Sequence, residues 1–250
     1  MTIYKATLSK NKLLELPADE SSLFLSLAHF SNEIIALTKL VIWSHDFSSE
    51  DEAATDGQTA LSLMLIKLMS GKLKEGYNLI TKKFFGTELS RKYESFLPDE
   101  SKEVLNQLKR YFGKRNTIDY VRNNYAFHYT LENIISAIPN TPEELTFYFE
   151  TGRQENTLNY FAEAIANRAL LQSLGYESNQ EAFNQLITET TQVAGWLLEV
   201  SSFVMGSFIL MHKDGIMQSG IQEVYFDKLP HLNNIKIPWF VDTSSLSNAG

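Results

Sequence analysis

The spacing of apolar residues along the chain predicts a succession of long helices. Apolar side chains recur every three or four residues over roughly 21–43, 58–84 and 99–112, which places them on one face of a helix. Proline, which interrupts helix interiors, is absent from 18–97 and from 143–229. The pattern therefore predicts a mainly α-helical fold. The apolar stripes are Leu23, Leu27, Phe30, Ile34, Leu37 and Val41; Leu61, Met64, Leu65, Leu68 and Leu79; and Val104, Leu105, Leu108 and Phe112.

A fourth helix is predicted over about 117–137, with its end at Pro139. Its apolar and aromatic face consists of Ile118, Val121, Tyr125 and Tyr129. This segment closes the first half of the chain.

The second half contains two sequence patterns typical of helix starts. Thr141-Pro142-Glu143-Glu144 forms a capping box and predicts a helical turn, after which the alternating aromatic residues of 145–151 favour an extended segment. A helix is predicted from about 156 to 174, where Gly175 would stop it. The second capping box, Ser178 to Glu181, begins a long helix to about 212.

These elements predict a helical bundle with two parts. We expect a helical domain over 1–138 and a helical extension over 139–250 that packs on it. The extension includes the short extended segment and ends in an extended tail around Pro238.

Composition narrows the class of protein. The 250 residues are 44% apolar and 21% charged, which is typical of a globular chain. The absence of cysteine excludes disulfides, thiolate nucleophiles and Cys-ligated metals. The N-terminus lacks the apolar run of a signal peptide, and the most apolar stretch, 196–211, is too short to span a membrane. We therefore expect a cytoplasmic protein with no membrane partner.

Charge is distributed unevenly along the chain. The formal net charge is −8, but residues 67–122 hold thirteen of the 22 Lys and Arg and only seven of the 30 Asp and Glu. This stretch has a local charge of +6, against −14 for the remainder. One interpretation is a solvated basic helix face, and the other is a binding surface for phosphate. Apart from Arg122, which ends this stretch, its last basic residues are Lys109, Arg110, Lys114 and Arg115.

One group of neighbouring residues has the chemistry for metal-free RNA cleavage. Arg122, Asn123 and His128 lie at the end of the basic stretch, on the predicted fourth helix. Histidine exchanges protons near neutral pH, arginine binds phosphate oxygens through a planar fork, and asparagine can orient either group. The sequence contains no GxSxG elbow, no nucleotide-binding glycine motif and no HxxxH pair, so it predicts no metal site or cofactor.

Helix geometry complicates a site made by one chain. Six residues on an ideal helix place Arg122 and His128 about 120° apart, with about 9 Å of rise. Two copies of the helix meeting across a two-fold axis would remove this difficulty. The competing interpretation is structural: an arginine paired with a neighbouring helix and a histidine bonded in the core.

At these residues the sequence resembles the HEPN superfamily, and in particular a bacterial subgroup with the form RN-x-x-x-F-H-Y. The resemblance covers about 20–137 and implies a helical bundle of four or five helices. It also implies a metal-independent endoribonuclease that leaves a 2′,3′-cyclic phosphate and a 5′-hydroxyl. Such proteins act as toxins or antiphage effectors, or serve as non-catalytic helical modules for dimerisation and protein interaction.

The resemblance assigns a role to each residue of the motif. His128 would be the general acid or base, Arg122 the phosphate clamp and Asn123 the orienting polar group. Single-stranded or loop RNA would be the substrate, bound in the composite cleft of a homodimer to which Lys109, Arg110, Lys114 and Arg115 contribute. An antitoxin or effector protein is a further expected partner. The alternative is the non-catalytic module.

Overall fold

The chain is a mainly α-helical bundle, as the apolar spacing predicts. The computed structural model describes residues 1–45, 47–127, 131–218 and 220–243, with only the backbone of residue 131. Helices make up 67% of these residues, and the strands form two small sheets of two strands each.

The helices keep most of the predicted boundaries. Helix α5 begins and ends at the predicted residues, whereas α3 starts earlier than expected and α9 ends later. The short helices α1 and α4 were not predicted. The bounds are α1 Lys10–Leu14, α2 Ala18–Ser44, α3 Glu52–Lys83, α4 Glu88–Glu94, α5 Asp99–Phe112, α6 Thr117–Val121, α7 Leu131–Ala137, α8 Tyr160–Ser173 and α9 Asn179–Ile216.

Each two-stranded sheet is antiparallel. Strand β1 (Thr2–Lys5) pairs with β4 (Gln222–Tyr225), with Thr2 opposite Tyr225. Strands β2 (Tyr148–Glu150) and β3 (Arg153–Leu158) form a hairpin whose turn contains Gly152 at φ +76°. The extended segment predicted near 145–151 thus contains β2, and the structure adds a partner strand where the sequence predicted the start of a helix.

Residues of the chain form two compact units, each assembled from three separate stretches. The first unit comprises 1–36, 72–116 and 191–231, and the second comprises 37–71, 117–190 and 232–250. The domain boundary expected at residue 138 stays a prediction.

The core of the first unit contains the predicted face of α2. Leu23, Leu27 and Ile34 are at most 1% exposed, and Phe30 is also buried. The ring of Phe30 lies against Gly76 of α3, where an added Cβ would lie 2.2 Å from the ring. Gly76 therefore lets a large aromatic side chain approach the backbone of α3, at the expense of helix propensity.

The stripe predicted on α3 is only partly buried. Leu65 is 6% exposed, as predicted, but Met64 is 40% exposed, and the large side chains that are fully buried are Leu63, Ile66, Leu73 and Ile80. Helix α3 is apolar on more than one side, so spacing alone does not select the face that packs.

The two predicted capping boxes have different outcomes. Ser178 accepts a hydrogen bond from the backbone N–H of Glu181 at 3.1 Å, as expected at the start of α9. No helix begins at Thr141. Its hydroxyl donates to the Ala137 carbonyl at 2.9 Å, so Thr141 closes the short 3₁₀ turn Ile138–Asn140 instead. A capping side chain satisfies whichever backbone group is near, and here that group precedes it.

Two helices, Ala18–Ser44 and Asn179–Ile216, are long and apolar enough to cross a membrane by length and composition. This is weak evidence for a membrane protein, because helices in the core of a globular protein meet the same criteria.

Candidate functional site

The predicted fourth helix is not a continuous α-helix. Helix α6 ends at Val121, and residues Arg122–Ala126 form a π-helix, followed by a bend at Phe127. Its hydrogen bonds join residues five apart, so the backbone is wider here than in an α-helix. The prediction of one regular helix over 117–137 was therefore wrong at the position of the motif.

The start of α6 is fixed by a carboxylate from α9. Glu189 accepts hydrogen bonds from the backbone N–H of Thr117 at 3.3 Å and from its hydroxyl at 2.8 Å. A carboxylate at this end of a helix is favoured because the first N–H groups have no partner within the helix. The chain is thus held immediately before the motif.

The end of α6 is anchored in the core of the second unit. Val121 is fully buried and packs in a cluster with apolar residues of α3, α8 and α9. The other buried members of this cluster are Leu63, Ile66, Leu170, Leu171, Ala182 and Leu186.

Tyr125 ties the π-helix to its neighbours. Its hydroxyl lies 3.1 Å from the Ala169 carbonyl and 3.3 Å from the Ser173 hydroxyl, both on α8. The same oxygen accepts a hydrogen bond from the side-chain amide of Asn133 at 3.1 Å. Burial is the largest cause that raises the pKa of Tyr125. The Tyr125 hydroxyl therefore stays protonated, and its hydrogen bonds position the π-helix.

Gly71 of α3 gives Phe127 room at the end of the motif. A Cβ added at Gly71 would lie 2.3 Å from the Phe127 ring, closer than real side chains approach. The ring is nevertheless 53% exposed, so it covers α3 without being enclosed. Gly71 thus lets the bend after the π-helix lie directly on α3.

The structure brings two of the three motif residues together. The Arg122 guanidinium donates a hydrogen bond from Nη1 to Asn123 Oδ1 at 2.9 Å, and Asn123 is exposed whereas Arg122 is half-buried. Asn123 thereby orients one edge of the guanidinium. His128 lies outside the described residues, as do Tyr129 and Thr130, so its role stays a prediction.

The four basic residues predicted to bind RNA lie in the first unit, and all four are exposed. Arg110 pairs with Glu103, and the ammonium of Lys109 lies 4.5 Å from the centre of the Phe85 ring. Lys114 and Arg115 follow Gly113, the residue that ends α5. Lys109 and Arg110 therefore have partners within the unit, which reduces their capacity for phosphate.

The aromatic residues beside these cations pack against one another. Phe112 is buried and stacks on Tyr77 with ring centres 4.0 Å apart, and Lys74 lies over both rings. Tyr111 meets Trp196 edge to face at 6.2 Å. These rings belong to the packing of the first unit.

A buried polar cluster in the first unit was not visible in the sequence. Glu20 of α2 is 2% exposed, and its carboxylate accepts hydrogen bonds from Lys92 at 2.7 Å and from Tyr93. His212 of α9 lies 2.9 Å from the same oxygen. Burial alone would raise the pKa of Glu20, but these hydrogen bonds outweigh it and lower the pKa. The Glu20 carboxylate thus joins α2 to α4 and α9.

The second unit contains polar groups that sequence reasoning also missed. Lys67 of α3 approaches Asn167 of α8 at 3.4 Å, and burial is the main cause that lowers the Lys67 pKa. These residues are 100 positions apart, so no local pattern links them. Nor does any local pattern link Glu189 with Thr117.

No protein-family model, curated protein or solved structure matches this chain. Within the part of the chain that the structure describes, no group of three or more His, Asp or Glu side chains is arranged to hold a metal ion.

Proposed function

We propose that the chain is a metal-independent endoribonuclease of the HEPN type, acting as a toxin or an antiphage effector. The ribose 2′-oxygen attacks the adjacent phosphorus and the bond to the 5′-oxygen breaks. A base takes the 2′-hydroxyl proton and an acid protonates the departing 5′-oxygen. The products are a 2′,3′-cyclic phosphate and a 5′-hydroxyl.

The observation that carries the proposal is the π-helix that begins at Arg122. π-Helices are rare, occur mostly as single turns, and are frequent at functional sites. Here the irregular backbone covers the first five residues of the motif, follows Val121 in the core and is joined to α8 by the Tyr125 hydroxyl. A backbone irregularity anchored in this way supports a role for the residues that it presents.

The side chains at this position suit the reaction. The Arg122 guanidinium has five N–H donors, of which one on Nη1 is directed to Asn123. A guanidinium binds two phosphate oxygens through parallel hydrogen bonds and stabilises the charge of the pentacoordinate phosphorus. His128 is the proposed proton carrier, and a homodimer would bring two copies of it to one cleft.

RNA contacts are assigned to the exposed cations Lys109, Arg110, Lys114 and Arg115. We infer that Lys114 makes the strongest contribution, because the structure describes no side-chain partner for it and it follows the end of α5. The acidic charge of the remaining chain limits binding to this region.

The reaction class is tested by the ends that cleavage leaves. End-labelled tRNA and total RNA are incubated with the full chain in EDTA, and the product termini are mapped. The expected products have a 2′,3′-cyclic phosphate and a 5′-hydroxyl. Products with a 3′-hydroxyl, or cleavage that EDTA abolishes, would contradict the proposal.

RNA contacts are tested by the salt dependence of binding. Replacing Lys114 with Gln removes one phosphate contact, so the slope of log affinity against log salt falls by about 0.7 for single-stranded RNA. Lys10→Gln, at an exposed lysine of α1, is the matched control and leaves the slope unchanged. Equal slopes for both variants would exclude Lys114 from the RNA contacts.

A second candidate function is a non-catalytic dimerisation module. It is favoured by an exposed apolar surface around the β2–β3 hairpin of the second unit. Phe147 and Phe149 are 47% and 65% exposed, and their rings stack at 5.4 Å. Under this alternative, Phe149→Ser converts the dimer to a monomer in light scattering, and the wild-type chain cleaves no RNA.

A further inference from the structure

Two adjoining cavities lie in the second unit. Their volumes are about 430 Å³ and about 220 Å³, and the larger has the size of small-molecule binding pockets. Both are lined by Thr59 and Leu63 of α3, Leu171 of α8 and Asn179 of α9. The two cavities therefore adjoin at these four residues.

The larger cavity has an aromatic side. His45 and Phe183 line it with rings inclined by only 21° and centres 6.1 Å apart, and Phe47 meets His45 edge to face at 4.7 Å. Burial, assisted by the charge of Lys236, lowers the pKa of His45, so the imidazole is neutral at pH 7. A flat ring entering this cavity finds aromatic faces to stack on.

Side-chain amides supply a polar side of the same cavity. Gln180 donates from Nε2 to Asn184 Oδ1 at 3.1 Å, which leaves the Gln180 carbonyl as an acceptor and the Asn184 amide as a donor. Asn179 lines both cavities, and the described residues provide no hydrogen-bond partner for its side chain. Paired donors and acceptors of this kind match the polar edge of a heteroaromatic ring.

The smaller cavity is lined by a buried donor that lacks a partner. Asn167 is 5% exposed, and its Oδ1 accepts a hydrogen bond from the ammonium of Lys67. Because lysine only donates, this contact fixes the orientation of the amide. Nδ2 of Asn167 then has no hydrogen-bond partner among the described residues. An unpaired buried donor costs free energy that a bound acceptor would recover.

Arg168 provides a cation beside this donor. It lines the smaller cavity, is half-buried, and forms no ion pair or hydrogen bond through its guanidinium over the described ranges of the chain. Glu144 lines the same cavity and opposes a highly charged ligand. One guanidinium and one amide donor, with a carboxylate nearby, suit a singly charged carboxylate better than a dianionic phosphate.

We propose that the second unit binds a flat heteroaromatic carboxylate, with its ring against His45 and Phe183 and its carboxylate at Arg168 and Asn167. The ligand ring stacks on the aromatic faces, and the side-chain amides of Gln180 and Asn184 on α9 hydrogen-bond to its polar edge. The Arg168 guanidinium fixes the orientation of the ligand. This ligand site is separate in its residues from Arg122, Asn123 and His128. It stands whether or not the chain cleaves RNA.

The site is tested with kynurenate, which combines a flat bicyclic ring, polar ring atoms and a carboxylate. Isothermal titration calorimetry of the full chain should give a Kd below about 1 mM, which ordinary ligand efficiency allows for a ligand of this size. 4-Quinolone, the same ring system without the carboxylate, should bind at least about ten-fold more weakly. Absence of kynurenate binding at millimolar concentrations would overturn the proposal.

Variants divide the two halves of the site. Arg168→Gln should weaken kynurenate binding by about 10- to 100-fold and leave 4-quinolone binding unchanged. Phe183→Leu should weaken both ligands, and Arg153→Gln, at an arginine outside both cavities, should weaken neither. Kynurenate binding that Arg168→Gln does not alter, or adenosine monophosphate binding more tightly than kynurenate, would contradict the carboxylate assignment.

Discussion

Two buried polar clusters, one in each unit, differ in whether their hydrogen-bonding groups have partners. In the first, the Glu20 carboxylate is 2% exposed and has hydrogen-bond partners on two helices of the same unit, Lys92 and Tyr93 of α4 and His212 of α9. In the second, Asn167 is similarly buried but keeps an unpaired Nδ2, and neighbouring Arg168 has no partner among the described residues. The Glu20 carboxylate thus has its partners within the protein, whereas the Asn167 amide and the Arg168 guanidinium can still donate hydrogen bonds to a ligand.

The backbone shows the same difference. Helix α5 of the first unit has the predicted bounds and is regular from end to end. The second unit contains the π-helix of Arg122–Ala126. Departures from local rules concentrate at functional sites, because packing elsewhere compensates for them. We therefore propose that the second unit holds the reacting groups and the small-molecule site. The first unit would contribute the exposed cations that contact RNA, and its polar cluster has a structural role.

The largest effect of a substitution is expected on the RNA cleavage rate, at Arg122, the proposed phosphate-binding residue of the second unit. Arg122→Gln removes the fixed charge but keeps a polar side chain of similar length, and should lower the RNA cleavage rate by about 10²- to 10³-fold. Arg153→Gln, in the β2–β3 hairpin of the same unit, should leave the rate unchanged. The rates are measured at saturating RNA with the same labelled substrate. Equal rates for the two variants would remove Arg122 from the mechanism.

The polar cluster of the first unit should affect stability and leave cleavage intact. Glu20→Gln removes the charge that Lys92 and His212 face, and should lower the free energy of unfolding by about 2 to 3 kcal/mol. Chemical denaturation measures this loss. A Glu20→Gln variant with full stability and impaired cleavage would contradict the structural role assigned to this cluster.

Because the pKa of Glu20 is lowered in the folded protein, the free energy of unfolding should depend on pH. A carboxyl with a lower pKa in the folded state contributes stability above its unfolded pKa, and this is lost as pH falls through the folded pKa. The wild type should therefore lose stability below about pH 4.5, the ordinary value for the group. Thermal unfolding midpoints of Glu20→Gln should fall less over this range than those of the wild type.

Two glycines of α3 provide a matched pair between the units. At Gly76 an added methyl meets the buried Phe30 ring, so Gly76→Ala should destabilise the chain by about 1 to 3 kcal/mol. At Gly71 it meets the exposed Phe127 ring, which can turn away, and the gain of about 1 kcal/mol in helix propensity offsets the strain. Gly71→Ala should thus leave the free energy of unfolding in urea unchanged but lower the RNA cleavage rate. Equal destabilisation by both substitutions would contradict this account of Phe127.

The smallest effect is expected at Tyr125. Tyr125→Phe removes the hydroxyl that joins the π-helix to α8, and should cost about 1 kcal/mol of unfolding free energy. Tyr176→Phe, at an exposed tyrosine of the same unit, is the control and should change nothing. Hydrogen exchange of the amides in 122–127 should accelerate in Tyr125→Phe. Unchanged exchange would show that other contacts hold the π-helix.

The sequence predicted the regular helices well because their signals are local. Pro98 and Gly113 bracket α5, and the apolar spacing of α2 identifies its buried face. The π-helix was missed because Val121 and Tyr125 have the same spacing that an α-helix requires. What shapes it, the contacts of Tyr125 with α8 and of Thr117 with Glu189, depends on residues 44 and 72 positions away. The unpaired amide of Asn167 likewise depends on Lys67, 100 positions away.

The most direct test of the assignment of chemistry to the second unit compares two histidines. His128→Ala removes the proposed proton carrier, and His29→Ala removes an exposed histidine of the first unit. Single-turnover cleavage of labelled tRNA in EDTA should fall by about 10²- to 10⁴-fold in His128→Ala and remain at the wild-type rate in His29→Ala. Wild-type cleavage by both variants would contradict the account.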